Sequence, residues 1–328
     1  MRLMNFSEKV KRVIALSSMF GGAISSLYGQ QEGDIIPVKY GDMEQWLTRK
    51  VEESFVIGGA DKEVYEIEPH RTMLVNTAFK PDSSQWATSS VYAHVTGVHK
   101  ASITVFPEDR EGGGKCALLE TRLETVKVLG LINISVLATG TIYLGETLEP
   151  VRDTKNPYSK IMTGVPFTDR PVAMVFDYKV DPAKERIYAP GFGKKSVVPG
   201  DNAAEAVVIL QRRWEDERGN IYAKRIATGW HRFDKVESEW QNGHRVELRY
   251  GDISGDSDFK EYEDLLEGDN QIYSINSNGE VRPIFEVDWD IESAVPTHII
   301  IRFSSGYGGA YIGSLGSEFW IDNVALEY

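Results

Sequence analysis

Seven tryptophans, several of them in polar surroundings, are the residues of this chain best suited to chemistry at a surface. A sugar ring presents an apolar C–H face fringed by hydroxyls. A site for it therefore combines an aromatic platform with planar polar groups held rigidly at the platform's edge. Trp86 is the leading platform candidate, because Asp82, Ser83, Ser84, Gln85, Ser89 and Ser90 surround it with polarity. Trp230, beside His231 and Arg232, and Trp240, between Glu239 and Gln241, come next. Arg170 precedes Pro171, and its planar fork suits bidentate contacts to hydroxyls or carboxylates. Ser305 and Tyr307 stand in a Gly-rich stretch that can line a groove. Each has a bland alternative: tryptophans fill cores, arginines make structural ion pairs, and Gly-rich loops are often only tight turns.

Signatures of catalysis are sparse, and no catalytic residue can be assigned. Glycoside hydrolysis needs two carboxylates, about 5–5.5 Å apart for retention or about 6.5–9.5 Å for inversion. Glu53, Glu205, Glu239 and Glu318 could each serve, and nothing in the sequence distinguishes a pair. The six histidines show no H-E-x-x-H or comparable spacing. Ser254 precedes Gly255 but lacks the first half of a nucleophile elbow. Asp42 and Glu44, with Asp322, could hold a structural calcium ion if the first and last strands pair, since calcium takes hard oxygen ligands.

The elements that would position these groups read as strands. Runs rich in β-branched and aromatic residues recur between Gly, Pro, Asn and Asp, as in Val126–Leu137, Val172–Val180, Ala206–Leu210, Val246–Tyr250 and Ile299–Phe303. Val172–Val180 is the clearest: Val172, Met174, Phe176, Tyr178 and Val180 share one face, while Ala173, Val175, Asp177 and Lys179 share the other. Glu217–Asn220 predicts a hairpin turn. In the last strand, Asp322 points inward with Trp320 and Val324 if the alternation is unbroken, or sits at a bulge or turn at Asp322–Asn323. One short helix is predicted from a capping box of Asp258 and Glu261, with Gly268 as its stop. The fold class is all-β, an antiparallel β-sandwich of jelly-roll type with one or two short helices. One domain over residues 30–328 is expected.

The last thirty residues carry a resemblance. Ser304–Ser305, Gly306–Gly308, Gly313–Ser317 and Trp320–Val324 resemble the closing motifs of the "putative carbohydrate metabolism domain" family of secreted and surface proteins of Bacteroidota. Gly164–Pro171 with Phe176–Lys179, and more loosely Ser84–Ser90, are similar to further stretches of that family. The resemblance implies a jelly roll of the kind used by carbohydrate-binding modules and some glycan-active enzymes, and it names no reaction.

Composition narrows the partners. Arg2, Lys9, Lys11 and Arg12 precede the apolar run Val13–Ile24, which reads as a secretory signal peptide over residues 1–29. The formal net charge is −13, and it becomes more negative without that leader. Nucleic acid and anionic lipid need cationic surface and are not expected partners. No later stretch is long and apolar enough for a membrane-spanning helix. The single cysteine, Cys116, has no internal disulfide partner, so the fold must rest on its own core. The expected function is secreted, non-catalytic glycan binding in polysaccharide capture. The alternatives are a glycoside hydrolase or lyase on the same fold, and a structural or assembly module of the cell surface.

Overall fold

The computed structural model describes residues 33–328 apart from 75, 96, 129–131 and 192–193. The signal-peptide expectation lies outside the described residues. Two principal sheets dominate. One has Glu237–Glu247, Ala173–Asp181, Glu318–Glu327, Lys115–Glu120 and Val105–Asp109 in that order, with Ile35–Pro37 also paired to the last strand. The other runs Val165–Pro166, His298–Ser304, Ala204–Glu215, Ile221–Phe233, Val281–Trp289, Tyr273–Ile275, Ile161–Thr163, Thr141–Thr147 and Trp86–Thr88. Thr141–Thr147 also pairs with His298–Ser304, so this sheet curls into a barrel-like ring. Strands from both halves of the chain enter both sheets.

The all-β expectation therefore holds, with two refinements. Pairing is mainly antiparallel, but Ile221–Phe233 runs parallel to Val281–Trp289, and Thr48–Lys50 parallel to Thr72–Leu74. Val126–Leu137 is not one strand but parts of two, Arg122–Val128 and Ile132–Ala138, which pair as a hairpin.

Alternation explains the layers. Along Ala204–Glu215, Ala204, Ala206, Val208 and Leu210 face the six-stranded sheet and share one core with its Met174, Phe176, Tyr178, Val180 and Phe319, and with Phe303 of the neighbouring strand. Val207 and Ile209 point the other way, into the ring, with Trp230, Ile284 and Ile300. The predicted hairpin is present: Asp216 Oδ1 accepts from the amides of Arg218 and Asn220, and Gly219 adopts φ +77°.

The last strand resolves the two readings of Asp322 in favour of the bulge. Register shifts between Val175–Ala325 and Asp177–Asp322, and Asn323 takes φ +51°. Phe319 and Ile321 face the core before it, Val324 and Leu326 after it, so Asp322 is turned to the opposite face. Asn323 tolerates the left-handed backbone and donates to Asp177 Oδ2 at 2.9 Å. Asn323→Ala is expected to cost about 1–2 kcal/mol. Urea unfolding measures it, and an unchanged midpoint would show that the bulge is not under strain.

The predicted helix is reduced to a single 3-10 turn, Glu261–Glu263. Asp258 caps nothing and instead pairs with Arg249. The reach-back bond is made two residues later, from the Lys260 amide to Glu263 Oε2. The turn stops there because Arg225 takes the carbonyls of Glu263 and Asp264, which a continuing helix would use itself.

Two histidines tie stability to pH. His244 packs edge-on against Phe176 and Tyr178, and burial, helped by His231, lowers it to about 4. Burial, with Arg213 nearby, lowers His298 to about 4 as well. An unfolded histidine titrates near 6.5. Between those values the unfolded chain binds more protons, so this contribution is complete above about pH 6.5 and is lost as pH falls toward 4. Stability against pH should have a shallower slope in that window for His244→Gln than for the wild type. Equal slopes in urea titrations would remove His244 from the account.

Candidate glycan-binding cleft

The ring's interior floor becomes polar at one end. Glu205 is the second residue of the strand Ala204–Glu215 and pairs in register with Arg232 and Ser304 on its two neighbours. It lies on the same face as Val207 and Ile209, so its carboxylate projects over the mouth of the ring. Oε1 accepts from Trp230 Nε1 at 3.2 Å and Arg232 Nε at 2.8 Å, and Oε2 accepts from Arg302 at 3.4 Å. Above this floor lies a cleft with a cavity volume of about 120 Å³. Thr141, Tyr143 and Ser304 continue the floor. Tyr158, the loop Asp269–Gln271 and the Gly-rich loop Gly306–Gly309 form the walls.

The electrostatics are mixed and balanced. Burial pushes the Tyr158 phenol up to about 12, opposed by Arg302 and reinforced by Glu205 and Asp269. Tyr158 therefore stays a hydrogen-bond donor at neutral pH. Arg302 keeps its Nε buried without a protein partner. Tyr307 is engaged by two guanidiniums, Arg186 at 4.1 Å and Arg232 at 4.0 Å from the ring centroid. Its hydroxyl donates to the Asp201 carbonyl at 2.9 Å. Gly308, at φ +94°, lets this wall close: a Cβ there would lie 2.1 Å from the Arg186 guanidinium.

Of the binding residues singled out from sequence, Tyr307 alone lines the cleft, together with Glu205 from the four candidate carboxylates. Trp86 is not a surface platform: it is 1% exposed, close to Phe303, with Nε1 donating to the Lys39 carbonyl. Its polar neighbours serve a different end. Glu68 is fully buried, and its Oε1 accepts from the amides of Asp82, Ser83 and Ser84. Trp230 is also buried, and instead of stacking on a ligand it positions Glu205 from below. Ser305 is fully buried and bonds to Thr121 Oγ1 at 2.8 Å and the Gly140 amide at 3.0 Å, a structural role. Arg170 lies over Tyr250 and donates to the carbonyls of Glu292 and Ala294, stapling a loop. Trp240 is half-buried on the six-stranded sheet under Arg110 and Lys179, away from the cleft.

The metal expectation meets a guanidinium. The first and last strands do pair, with Ile35 opposite Glu327. Yet Asp322 forms a salt bridge with Arg110, which also pairs with Asp177 at 2.8 Å. Burial raises the Asp322 carboxyl, and Arg110 opposes that rise. Glu44 accepts from the Lys115 amide at 2.9 Å, and Asp42 is exposed. These three acids do not converge, and among the described residues no group of three or more His, Cys, Asp or Glu could hold a metal ion.

The residues missed were Tyr158, Asp269 and Arg302, and Glu205 was not distinguished from other acids. One signal was available. Glu205 and Gln211 are polar residues at either end of the alternate face of an otherwise apolar strand, as expected of a strand lining a wet interior.

The chain is similar to two solved structures. One is titled a "putative glycoside hydrolase" from Bacteroides thetaiotaomicron VPI-5482, at 16% identity and TM-score 0.44, covering 83% of this chain and 76% of that one. The other has the same description and comes from Bacteroides vulgatus ATCC 8482, at 14% identity and TM-score 0.39, covering 90% and 95%. No curated protein matches. The profile of the family described as "Putative carbohydrate metabolism domain" matches residues 63–265, more than half of the chain, and the protein belongs to that family.

Proposed function

We propose that the protein is an exported, non-catalytic glycan-binding protein whose cleft at the mouth of the ring seats a single sugar unit. The observation that carries this is the arrangement of Glu205, Arg302 and Tyr158. An acceptor and two donor groups are held at fixed positions over a closed polar floor, as hydroxyl recognition requires. The cavity is well below the roughly 300 Å³ at which drug-sized sites begin, so it suits one ring and not a chain. Paired charges leave the cleft near neutral, which suits an uncharged sugar. The basic leader and apolar run at the N-terminus support export, and the family supports a carbohydrate ligand.

Hydrolysis is the second reading, favoured because Glu205 and Asp269 both line the cleft. A general acid must donate a proton to the leaving oxygen. Both oxygens of Glu205 act instead as acceptors of N–H groups. The mature protein, incubated with a panel of neutral polysaccharides and oligosaccharides, should release no reducing ends above the level of Asp269→Asn. Release by the wild type that Asp269→Asn abolishes would replace binding by glycoside hydrolysis.

A further inference from the structure

The strand Ala204–Glu215 outruns the sheet that covers it. Its core-facing residues are buried as far as Leu210, and the same face then continues into solvent as Arg212 and Trp214. In register beside Trp214 lies Tyr222, and beside Tyr222 lies Phe285, on three adjacent strands. Trp214 and Phe285 are 41% and 42% exposed. Both neighbouring ring pairs have centroids 5.9 Å apart, with planes inclined by 21° and 39°. Exposed aromatic rows of this kind are rare on a surface with no partner.

The edge of the row is charged but paired. Arg212 meets Asp290 at 2.6 Å, and Lys224 meets Asp288 at 2.8 Å; Arg212, Lys224 and Asp288 are on the strands that carry the rings, and Asp290 follows the last of them. On a chain of net charge −13, this is an aromatic strip whose neighbouring cations are paired, with Asp216 accepting from the Tyr222 hydroxyl at 3.4 Å and hydrogen-bonding groups along one side. Strands lie about 4.8 Å apart, close to the length of one pyranose unit, so successive rings can meet successive sugars. The row is on the outside of the ring, whereas the cleft opens at its mouth, so the two surfaces can be altered separately.

We propose that Trp214, Tyr222 and Phe285 form a second glycan surface, which takes an extended neutral polysaccharide lying across the strands. The proposal rests on the carbohydrate reading of the cleft, and adds the polymer that presents sugar units to it. The aromatic faces supply C–H stacking, and the paired charges supply hydrogen bonds to hydroxyls without attracting an anionic chain.

Affinity electrophoresis tests it, in gels containing xylan, galactomannan, mixed-linkage β-glucan or soluble starch, with polygalacturonate as the anionic control. The proteins compared are wild type, Trp214→Ala, Phe285→Ala and Arg302→Met, with thermal midpoints and sizing chromatography to confirm folding and oligomeric state. The expected result is retardation by at least one neutral polymer, weakened tenfold or more by Trp214→Ala and by Phe285→Ala. Short oligosaccharides titrated into these two variants should bind as they do to the wild type. The proposal is overturned by retardation equal in all proteins, by retardation in polygalacturonate alone, or by none in any gel. It is also overturned if the row's variants change only from dimer to monomer, which would make the row a self-association face. Failure of the cleft reading looks different: Arg302→Met would then leave oligosaccharide titrations unchanged while the row's variants still lose the polymer.

Discussion

Glu286→Ala should destabilise the protein by about 3–5 kcal/mol, the usual cost of leaving one member of a buried ion pair alone. Glu286 and Arg225 are both fully buried inside the ring. Arg225 Nε donates to Glu286 Oε1 at 2.8 Å, and the Leu266 amide donates to Oε2 at 2.6 Å. Gln211 donates to the same carboxylate. Burial alone would raise the Glu286 carboxyl, but the Arg225 charge and these hydrogen bonds hold it below the usual range. Removing it strands a guanidinium among Thr228, Trp289 and two carbonyls that cannot neutralise it. The double variant Arg225→Met with Glu286→Leu should recover most of the loss, since an apolar pair of similar volume replaces both charges. Chemical unfolding of the three variants measures this, and a loss below about 1 kcal/mol for Glu286→Ala would show that the pair is not held dry. The same carboxylate fixes the start of the loop that carries Asp269–Gln271, so the single variant should also weaken sugar binding.

Arg302→Met should lower affinity for the preferred sugar by roughly ten- to a hundredfold, the equivalent of one or two charge-assisted hydrogen bonds. Methionine keeps most of the length and the apolar contact of Arg302 with Trp230, and it removes the donors that face the cleft. Glu205 keeps its bonds from Arg232 and Trp230, so the floor should survive. Calorimetric titration measures the change, with the thermal midpoint as the control for folding. An affinity within threefold of the wild type would place the sugar elsewhere.

Local alternation was the legible part of this fold. The face shared by Met174, Phe176, Tyr178 and Val180, the hairpin around Gly219 and the motifs near the C-terminus all depend on neighbours in sequence, and each is written in residue types. The cleft is not local. Glu205 meets Arg302 across 97 positions, and only strand order brings them together. Trp86 misled because polarity around a residue reports on the hydrogen-bonding needs of nearby chain as readily as on exposure: its serines are tied to the buried Glu68. The short helix failed through a tertiary demand, because Arg225 claims the carbonyls that would have continued it. Asp322 depended on a one-residue bulge at Asn323, and a change of one residue reverses which face a strand presents.

The most direct measurement is a crystal structure with the oligosaccharide that binds best in the titrations. A sugar ring in the cleft, with hydroxyls against Glu205, Arg302 and the Tyr158 phenol, is the predicted result. Full occupancy of the sugar at another surface, with the cleft holding only water, would contradict the central claim.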